Sequence, residues 1–362
     1  MALPDEELSP VDFKAIKRNW IQYSRPNSIH LPLRTVTDFE WKDYCPAVFR
    51  HILELANFEY ADYMLSVCAD ETLREVSSPR KCGKVFFLSK ENRFIIKTLR
   101  KSEVKVILKM LPNYYCHLKK YKASLLSKMF GLHAVRPAGG IKVYFVVMSN
   151  VMLSDMQIHK FYDLKGSSKG RTLNKVVVDE ATIYKDLDLD YCFYLNPSVR
   201  IWLLKQIKHD CEFLEAEGIM DYSFLIGSLD GRNSSTKKKI SNDTIQGYED
   251  PELNLSDVCK QPERPGLRFG AKIPACAVCT PTNETGSASS NRRVRAEECH
   301  HVFLHIGIVD IFQNYNVIKR IEHAYKSIIQ YDSTLVSTVN PKLYSSRLHH
   351  FLSKLFLPED SD

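Results

Sequence analysis

The spacing of apolar residues divides the chain into strand-like and helix-like stretches. From Ser77 the pattern predicts a turn that contains Gly83, a strand, a tight turn and a second strand ending in Phe94-Ile-Ile-Lys-Thr-Leu99. Another strand is predicted at residues 143–148, after Gly139-Gly140. The first half of the chain is therefore expected to contain paired antiparallel strands.

Helical spacing predicts three main helices. The first spans residues 41–55, and the second is capped by Ser102 and broken or restarted at Pro112. The third begins at Asn196-Pro197 and stops at Gly218. Its apolar face is expected to consist of Ile201, Leu204, Ile207, Cys211 and Leu214.

Two long segments lack a sustained apolar pattern. Residues 1–38 are polar with several prolines and are interpreted as an arm of low intrinsic structure. Residues 228–300 are rich in Ser, Thr, Asn, Gly and Pro and are interpreted as a flexible insertion. Apolar strands and amphipathic helices resume at Val302 and continue to Phe356, so the fold is expected to continue beyond the insertion.

Composition and charge narrow the class of protein. The 362 residues are 44% hydrophobic, which is enough for a substantial core, and no apolar run approaches a membrane span. The start lacks the pattern of a secretory signal, and the ten scattered cysteines are interpreted as reduced residues of a cytoplasmic protein. A net charge of +7 and the basic stretch at residues 100–136 favour an anionic partner, although a solvated helix face is an equal alternative.

Three separated residues have the order that phosphoryl transfer requires. Lys97 lies in an apolar strand after a Gly-containing turn, so it either extends to water or meets an anion. Asp221 follows the third helix and precedes an apolar strand, and Asp310 ends the strand at residues 303–309. If these two strands pair, both carboxylates emerge at one edge, where one could orient a hydroxyl and the other could hold magnesium. Each aspartate alone would equally suit a turn or a cap.

A second basic cluster surrounds two glycines. The run Asp163-Leu-Lys-Gly-Ser-Ser-Lys-Gly-Arg171 could grip phosphate, or it could be a basic hairpin without a ligand. Near the C-terminus, Ile321, Tyr325 and Ile328 have helical spacing, which fits either a membrane-surface helix or packing on the protein itself.

Taken together, Phe94-Ile-Ile-Lys97, Asp163-Leu-Lys-Gly-Ser167, Met220-Asp-Tyr-Ser223 and Ile306-Gly-Ile-Val-Asp310 resemble the phosphatidylinositol phosphate kinase family. Longer strings such as Asp210-Cys-Glu-Phe-Leu-Glu-Ala-Glu217 are similar to its plant-type phosphatidylinositol 4-phosphate 5-kinases. The MORN repeats that precede many plant members are missing from this sequence, which predicts a compact member that is mainly catalytic core. The resemblance spans roughly Trp41 to Phe356.

The resemblance implies an α+β, two-lobed fold related to protein kinases. An antiparallel-sheet N-lobe would span residues 39–152, and a mixed C-lobe would span residues 153–362. The C-lobe would include the insertion at 228–300 and an activation or specificity loop at 316–339. The nucleotide would bind between the lobes.

The resemblance also implies roles in binding ATP and Mg2+. Asp221 would be the catalytic aspartate, and Asp310 would hold the metal. Lys97 would contact the ATP phosphates, with Gly83 in the covering turn and Lys165 facing phosphate groups. The covering turn reads Cys82-Gly-Lys84 where the family often has Ser-Gly-Ser, so the grip on phosphate could differ.

For the lipid, the resemblance implies that Arg171 and Lys165 face headgroup phosphates and that Lys319-Arg320 engage the membrane. Glu322 matches the residue that favours the 4-phosphate substrate. The expected reaction converts phosphatidylinositol 4-phosphate to the 4,5-bisphosphate at the inner face of the plasma membrane, with no nucleic acid as partner and with homodimer formation left open. The alternatives are a 5-phosphate 4-kinase and a catalytically weak phosphoinositide-binding scaffold.

Overall fold

The computed structural model describes residues 7–21, 38–68, 73–76, 84–154, 158–168, 170–173, 182–230, 270–279, 299–315 and 340–359. These residues form two compact units. The first comprises the described residues up to Lys122 together with Ser127–Asn150, and the second comprises Ala123–Leu126 and the described residues from Val151 onward. Each unit is built on one seven-stranded sheet, which confirms the predicted α+β class. No helix within the described ranges is long and apolar enough to cross a membrane.

The first unit contains an entirely antiparallel sheet with the strand order β1-β2-β6-β7-β5-β4-β3. Its strands are β1 Ile16–Ile21, β2 Phe39–Tyr44, β3 Leu73–Val76, β4 Phe86–Ser89, β5 Phe94–Leu99, β6 Met129–Pro137 and β7 Val143–Ser149. Its helices are α1 Pro46–Leu55, α2 Tyr60–Cys68 and α3 Lys101–Lys120. The strands predicted around residues 84–99 and 143–148 are confirmed as β4, β5 and β7.

The N-terminal part of this unit differs from the sequence prediction. Ile16–Ile21, in the expected arm, pairs with β2 as an edge strand. The predicted helix at 41–55 begins only at Pro46, because Phe39–Tyr44 forms strand β2. Proline suits the first turn of a helix, where its missing N–H has no intrahelical partner, and this marks the true start.

Helix α3 runs without a break through Pro112, so the predicted interruption is wrong. Proline removes one backbone hydrogen bond, but the residues around it bury a continuous apolar face that includes Ile107, Leu111 and Tyr114. The cap is also different from the prediction. The N-cap residue is Arg100, two residues before Ser102, and its backbone N–H donates a hydrogen bond to the Glu103 carboxylate at 2.8 Å.

The second unit contains a mixed sheet with the order β14-β10-β12-β13-β11-β8-β9. The pairs β10–β14 and β8–β9 are parallel, and the others are antiparallel. Its strands are β8 Lys160–Leu164, β9 Ile183–Lys185, β10 Tyr191–Leu195, β11 Ser223–Asp230, β12 Ala271–Cys279, β13 His300–Val309 and β14 Phe356–Pro358. Its helices are α4 Pro197–Ala216, α5 Pro341–Leu355 and a 3-10 turn at Asp186–Asp188.

Part of the expected insertion belongs to this sheet. Strand β12 lies between β10 and β13 and buries Ile273, Ala275 and Ala277. A compositional reading of residues 228–300 averages this short apolar run into its polar surroundings, which is why it was missed. Cys276 and Cys299 are joined by a disulfide in the structure, whereas the sequence predicted reduced cysteines.

Helix α4 begins and ends as predicted. The Asn196 side chain accepts a hydrogen bond from the Ser198 N–H at 3.0 Å, and Gly218 adopts a φ of 69° just past the last turn. The buried face differs, because Ile201 is 65% exposed. The residues of α4 that are buried are Val199, Leu203, Gln206, Ile207, Asp210, Cys211 and Leu214.

The loop after β8 packs closely on α5. Gly166 has a φ of 63°, and a Cβ atom at this position would lie 3.0 Å from the Leu348 Cα atom and 3.2 Å from the Arg347 carbonyl. The close approach at this glycine is therefore made by the backbone of α5.

Comparing alanine substitutions at Gly166 and Gly170 separates the cost of the close contact with α5 from the cost of a left-handed backbone conformation. We expect Gly166→Ala to lower the free energy of unfolding by about 2–3 kcal/mol, because the new methyl group meets helix backbone and the left-handed φ is also unfavourable. The matched control is Gly170→Ala, which has a φ of 67° but open space around its Cβ position. We expect a loss of only about 1 kcal/mol there, measured by denaturant titration. Equal losses would contradict the close approach of α5.

Candidate active site

The pairing of β11 with β13 determines where the two predicted aspartates lie. Ser223 is opposite Val309 in the antiparallel register. Asp221 lies two residues before Ser223, and Asp310 follows Val309 directly, so both residues emerge at the same edge of the sheet. The strand pairing predicted across the insertion is therefore confirmed. Asp221 and Asp310 both adopt left-handed backbone conformations, with φ values of 61° and 64°.

Backbone hydrogen bonds fix the segments that carry these aspartates. The N–H of Met220 donates to the Gln313 carbonyl at 3.0 Å, and the N–H of Tyr315 donates to the Gly218 carbonyl at 3.0 Å. Ile219 and Asn314 form an isolated antiparallel bridge between these bonds. The chain just before Asp221 is thus held against the chain just after Asp310.

Lys165 contacts Asp221 directly. Its Nζ atom lies 2.6 Å from Asp221 Oδ1 and 2.5 Å from the Asp221 carbonyl oxygen. Lys165 is 5% exposed, whereas the Asp221 side chain is 30% exposed, so the ammonium group is buried and the carboxylate stays partly accessible to solvent. The structure therefore brings together two residues that the sequence assigned to one site, and the ammonium group fixes the orientation of the Asp221 carboxylate.

Arg171 is buried among carboxylates. Its Nε atom donates to Asp186 Oδ2 at 2.5 Å, and its Nη2 atom lies 3.2 Å from Asp163 Oδ1 and also donates to the Asp163 carbonyl. Burial opposes the charged guanidinium, but Asp163 and Asp186 outweigh it and raise the Arg171 pKa above its ordinary value. In this arrangement Arg171 organises the loop that carries Lys165, and its contact with a lipid phosphate stays a prediction.

Asp186 is the centre of this cluster, and the sequence analysis missed it. In addition to the Arg171 bond, its Oδ1 atom accepts hydrogen bonds from the backbone N–H groups of Lys165 at 2.9 Å and Ser167 at 3.2 Å. The signal available in the sequence was the acidic run Asp186-Leu-Asp-Leu-Asp190, which complements the basic run at 165–171.

Helix α5 supplies two further residues near Asp221 that the sequence analysis also missed. The Tyr344 hydroxyl donates to the Tyr222 carbonyl, directly after Asp221. Burial lowers the pKa of Arg347 below its ordinary value, and this outweighs the opposite effect of Tyr344, Asp186 and Asp221. These contacts tie the C-terminal helix to the loop that presents the predicted catalytic carboxylate.

Lys97 lies in the central part of the first unit's sheet and is 3% exposed. Its Nζ atom is 5.2 Å from the centroid of the Phe86 ring, at the cross-strand pair Phe86–Lys97. The alternative in which this side chain extends to water is therefore wrong. Glu103, the first acidic residue after Lys97 in the sequence, forms an ion pair of 2.6 Å with Lys84.

Four residues of the predicted site lie outside the described part of the chain. Gly83, in the covering turn, falls in the gap at 77–83, and Lys319, Arg320 and Glu322 fall in the gap at 316–339. The amphipathic pattern at Ile321, Tyr325 and Ile328 lies in the second gap as well.

The carboxylates at the sheet edge fit the chemistry of a magnesium nucleotide. Mg2+ is usually bound by one or two carboxylates, with the remaining ligands supplied by phosphates and water. Asp310 offers one such carboxylate at the end of β13, which fits a Mg2+ ion whose other ligands are phosphates and water. Among the described residues there is no group of three or more His, Cys, Asp or Glu side chains that could hold a metal ion.

A long helix followed by an acidic loop, a strand and a second aspartate on the paired strand defines a phosphotransferase of the kinase type. Residues 67–355 match the sequence profile of phosphatidylinositol-4-phosphate 5-kinase. The chain is 42% identical to Arabidopsis thaliana phosphatidylinositol 4-phosphate 5-kinase 10, with 98% of each chain covered. It is 44% identical to the putative 5-kinase 11 of the same plant, with 97% of this chain and 99% of that protein covered. It is also 45% identical to 5-kinase 3, covering 50% of that longer protein. The chain belongs to the phosphatidylinositol-4-phosphate 5-kinase family, and it is an ATP-using lipid kinase of this family.

Removing the central carboxylate tests whether the Arg171 cluster supports the fold. We expect Asp186→Asn to lower the free energy of unfolding by about 3 kcal/mol, because it leaves a buried guanidinium without its closest charge partner. The measurement is thermal or denaturant unfolding. The control is Asp190→Asn, whose side chain is 41% exposed and lies 3.9 Å from Lys160, with an expected loss below about 1 kcal/mol. If both variants unfold like the parent, the cluster does not stabilise this loop.

Proposed function

We propose that the protein transfers a phosphoryl group from MgATP to the 5-hydroxyl of phosphatidylinositol 4-phosphate and gives phosphatidylinositol 4,5-bisphosphate at a membrane surface. The observation that carries this proposal is the register of β11 with β13, which brings Asp221 and Asp310 to one edge of the sheet. Two relatives that align with this chain over nearly their whole length support it, because one is named as a 5-kinase of this lipid and the other as a putative one.

Asp221 is the group that orients the attacking hydroxyl in this proposal. Its carboxylate is held by the Lys165 ammonium at 2.6 Å, which limits its rotation before the lipid arrives. A carboxylate at this place accepts a hydrogen bond from the inositol hydroxyl and takes up its proton. Lys165 also places a positive charge beside the Asp221 carboxylate.

Asp310 would hold Mg2+, and Lys97 would contact the nucleotide phosphates with Gly83 in the turn above them. Bound MgATP supplies the phosphoryl group and the metal charge that neutralises its oxygens. Lys97 is assigned to the nucleotide phosphates through the family resemblance, and its place in strand β5, after the turn that contains Gly83, is the one that this assignment requires.

The lipid would be recognised by basic residues. Lys165 and Arg171 would face headgroup phosphate, Lys319 and Arg320 would engage the anionic surface, and Glu322 would favour the 4-phosphate. Several lysines of α3 are exposed and add positive charge on one helix, which supports peripheral attachment to the cytoplasmic face of the plasma membrane. These exposed lysines are Lys101, Lys105, Lys109, Lys119 and Lys120.

The central experiment uses radiolabelled ATP with vesicles that carry either the 4-phosphate or the 5-phosphate lipid. We expect label on the 4-phosphate lipid, at the 5-position of the ring. We expect Asp310→Asn to reduce the rate by about 10²–10³-fold, since the metal loses its protein carboxylate, while vesicle binding is retained. The control is Asp62→Asn, at an exposed position of α2. A protein that binds vesicles but labels neither lipid would support the scaffold alternative.

The ring position of the new phosphate tests the role of Glu322. We expect Glu322→Ala to relax the preference for the 4-phosphate lipid, because the family resemblance places at this position the residue that distinguishes the two substrates. The ratio of kcat/KM for the two lipids is the measurement, and total activity on the preferred lipid serves as the internal reference. An unchanged ratio would remove Glu322 from the specificity assignment.

A further inference from the structure

Asp210 is a buried carboxylate with no place in the proposed chemistry. It lies in the middle of α4 and is 0% exposed. Its Oδ1 atom accepts hydrogen bonds from Ser124 Oγ at 2.8 Å and Gln206 Nε2 at 3.1 Å, and its Oδ2 atom accepts one from the Leu125 N–H at 2.8 Å. Burying a carboxylate is costly unless donors surround it. These three donors make Asp210 an anchor for the segment Ser124–Leu126.

The anchored segment leads directly to the strand that presents Asp310. The N–H of Leu125 is bound by Asp210, and the Leu125 carbonyl accepts a hydrogen bond from the Ile308 N–H at 2.8 Å. Leu126 forms a parallel bridge with Ile308. Leu125 therefore links Asp210 to β13, because its N–H bonds to Asp210 and its carbonyl bonds to Ile308. Ile308 is two residues before Asp310.

The same helix is connected to the chain on the other side of Asp310. The Asn314 side chain donates to the Glu217 carbonyl at 3.4 Å, and the Tyr315 N–H donates to the Gly218 carbonyl at 3.0 Å. Asp310 thus lies between two points that are both tied to α4, one through Leu125 and one through residues 314–315. Asp221 follows α4 by a few residues, so the same helix is connected to both aspartates.

We propose that Asp210 is a positioning residue that fixes Asp310 relative to Asp221 through the segment Ser124–Leu126. This inference rests on the proposed function, because it assigns Asp210 a part in the geometry of the metal-holding carboxylate. Reacting groups must be held within a few tenths of an ångström, and a misplacement of about 1 Å can cost about 10²-fold in rate. A buried, multiply bonded carboxylate supplies such a restraint.

The test begins with Asp210→Asn, which keeps the side-chain volume but replaces one acceptor oxygen with an NH2 donor facing other donors. We expect kcat to fall by about 10- to 100-fold and the Mg2+ concentration for half-maximal activity to rise severalfold, with vesicle binding unchanged. We also expect faster hydrogen–deuterium exchange in the ligand-free protein for peptides covering residues 303–315.

The control is Leu203→Ala, at a fully buried apolar position of the same helix. It should lower Tm without changing the Mg2+ dependence or selectively exposing residues 303–315. If the two variants, compared at equal folded fraction, show the same Mg2+ dependence and the same exchange pattern, Asp210 is only structural and the proposal is overturned.

Ser124→Ala keeps the proposal testable if Asp210→Asn does not fold. It removes one of the three donors and should give a smaller change of the same kind in both readouts, and no change in either would overturn the proposal. The exchange measurement does not require catalysis. If the wild-type protein lacks lipid kinase activity while the variants still exchange faster at residues 303–315, the proposed function is refuted. If the wild-type protein is active and its variants show neither effect, only the role of Asp210 is refuted.

Discussion

The antiparallel pairing of β11 with β13 is the constraint on which the candidate site depends. Its register is fixed by apolar side chains that are fully buried on the two strands, which are Phe224, Ile226, Leu304, Ile306 and Ile308. A shift of one residue would turn this set toward the opposite face of the sheet and displace Asp310 from Asp221 by about 3.4 Å. The hydrophobic core thus sets the separation of two carboxylates that do not belong to it.

The charges around Asp221 are nearly balanced before any substrate is present. Three carboxylates, from Asp163, Asp186 and Asp221, face three basic side chains, from Lys165, Arg171 and Arg347. Because Lys165 and Arg171 are already paired with carboxylates, a phosphate that contacts either of them gains less from its charge than it would from an unpaired cation. Binding of a nucleotide or a phosphorylated headgroup is therefore favoured by further cations, which is consistent with Mg2+ on Asp310 and with basic residues elsewhere in the sequence.

Features that depend on neighbouring residues could be predicted from the sequence. The strands at β4, β5 and β7, the Asn196 cap and the Gly218 stop all follow from local turn, cap and alternation signals. The errors arose where tertiary packing overrides a local signal. Pro112 is accommodated because its helix buries a long apolar face, and β12 was hidden because a short apolar run gains its stability only from strands on both sides.

Asp210 and Tyr344, which the sequence analysis missed, share one physical property, which is that each is a buried polar group whose hydrogen-bond partner is remote in the chain. The N–H of Leu125 is 85 residues from Asp210, and the Tyr344 hydroxyl is 122 residues from the Tyr222 carbonyl. A local pattern reveals at most that a polar residue interrupts an apolar face, as Asp210 does beside Cys211. Because buried polar groups are almost always hydrogen-bonded, such an interruption predicts that a partner exists. Only the fold identifies that partner. For Asp210 it is the segment Ser124–Leu126, which is hydrogen-bonded to β13 two residues before Asp310.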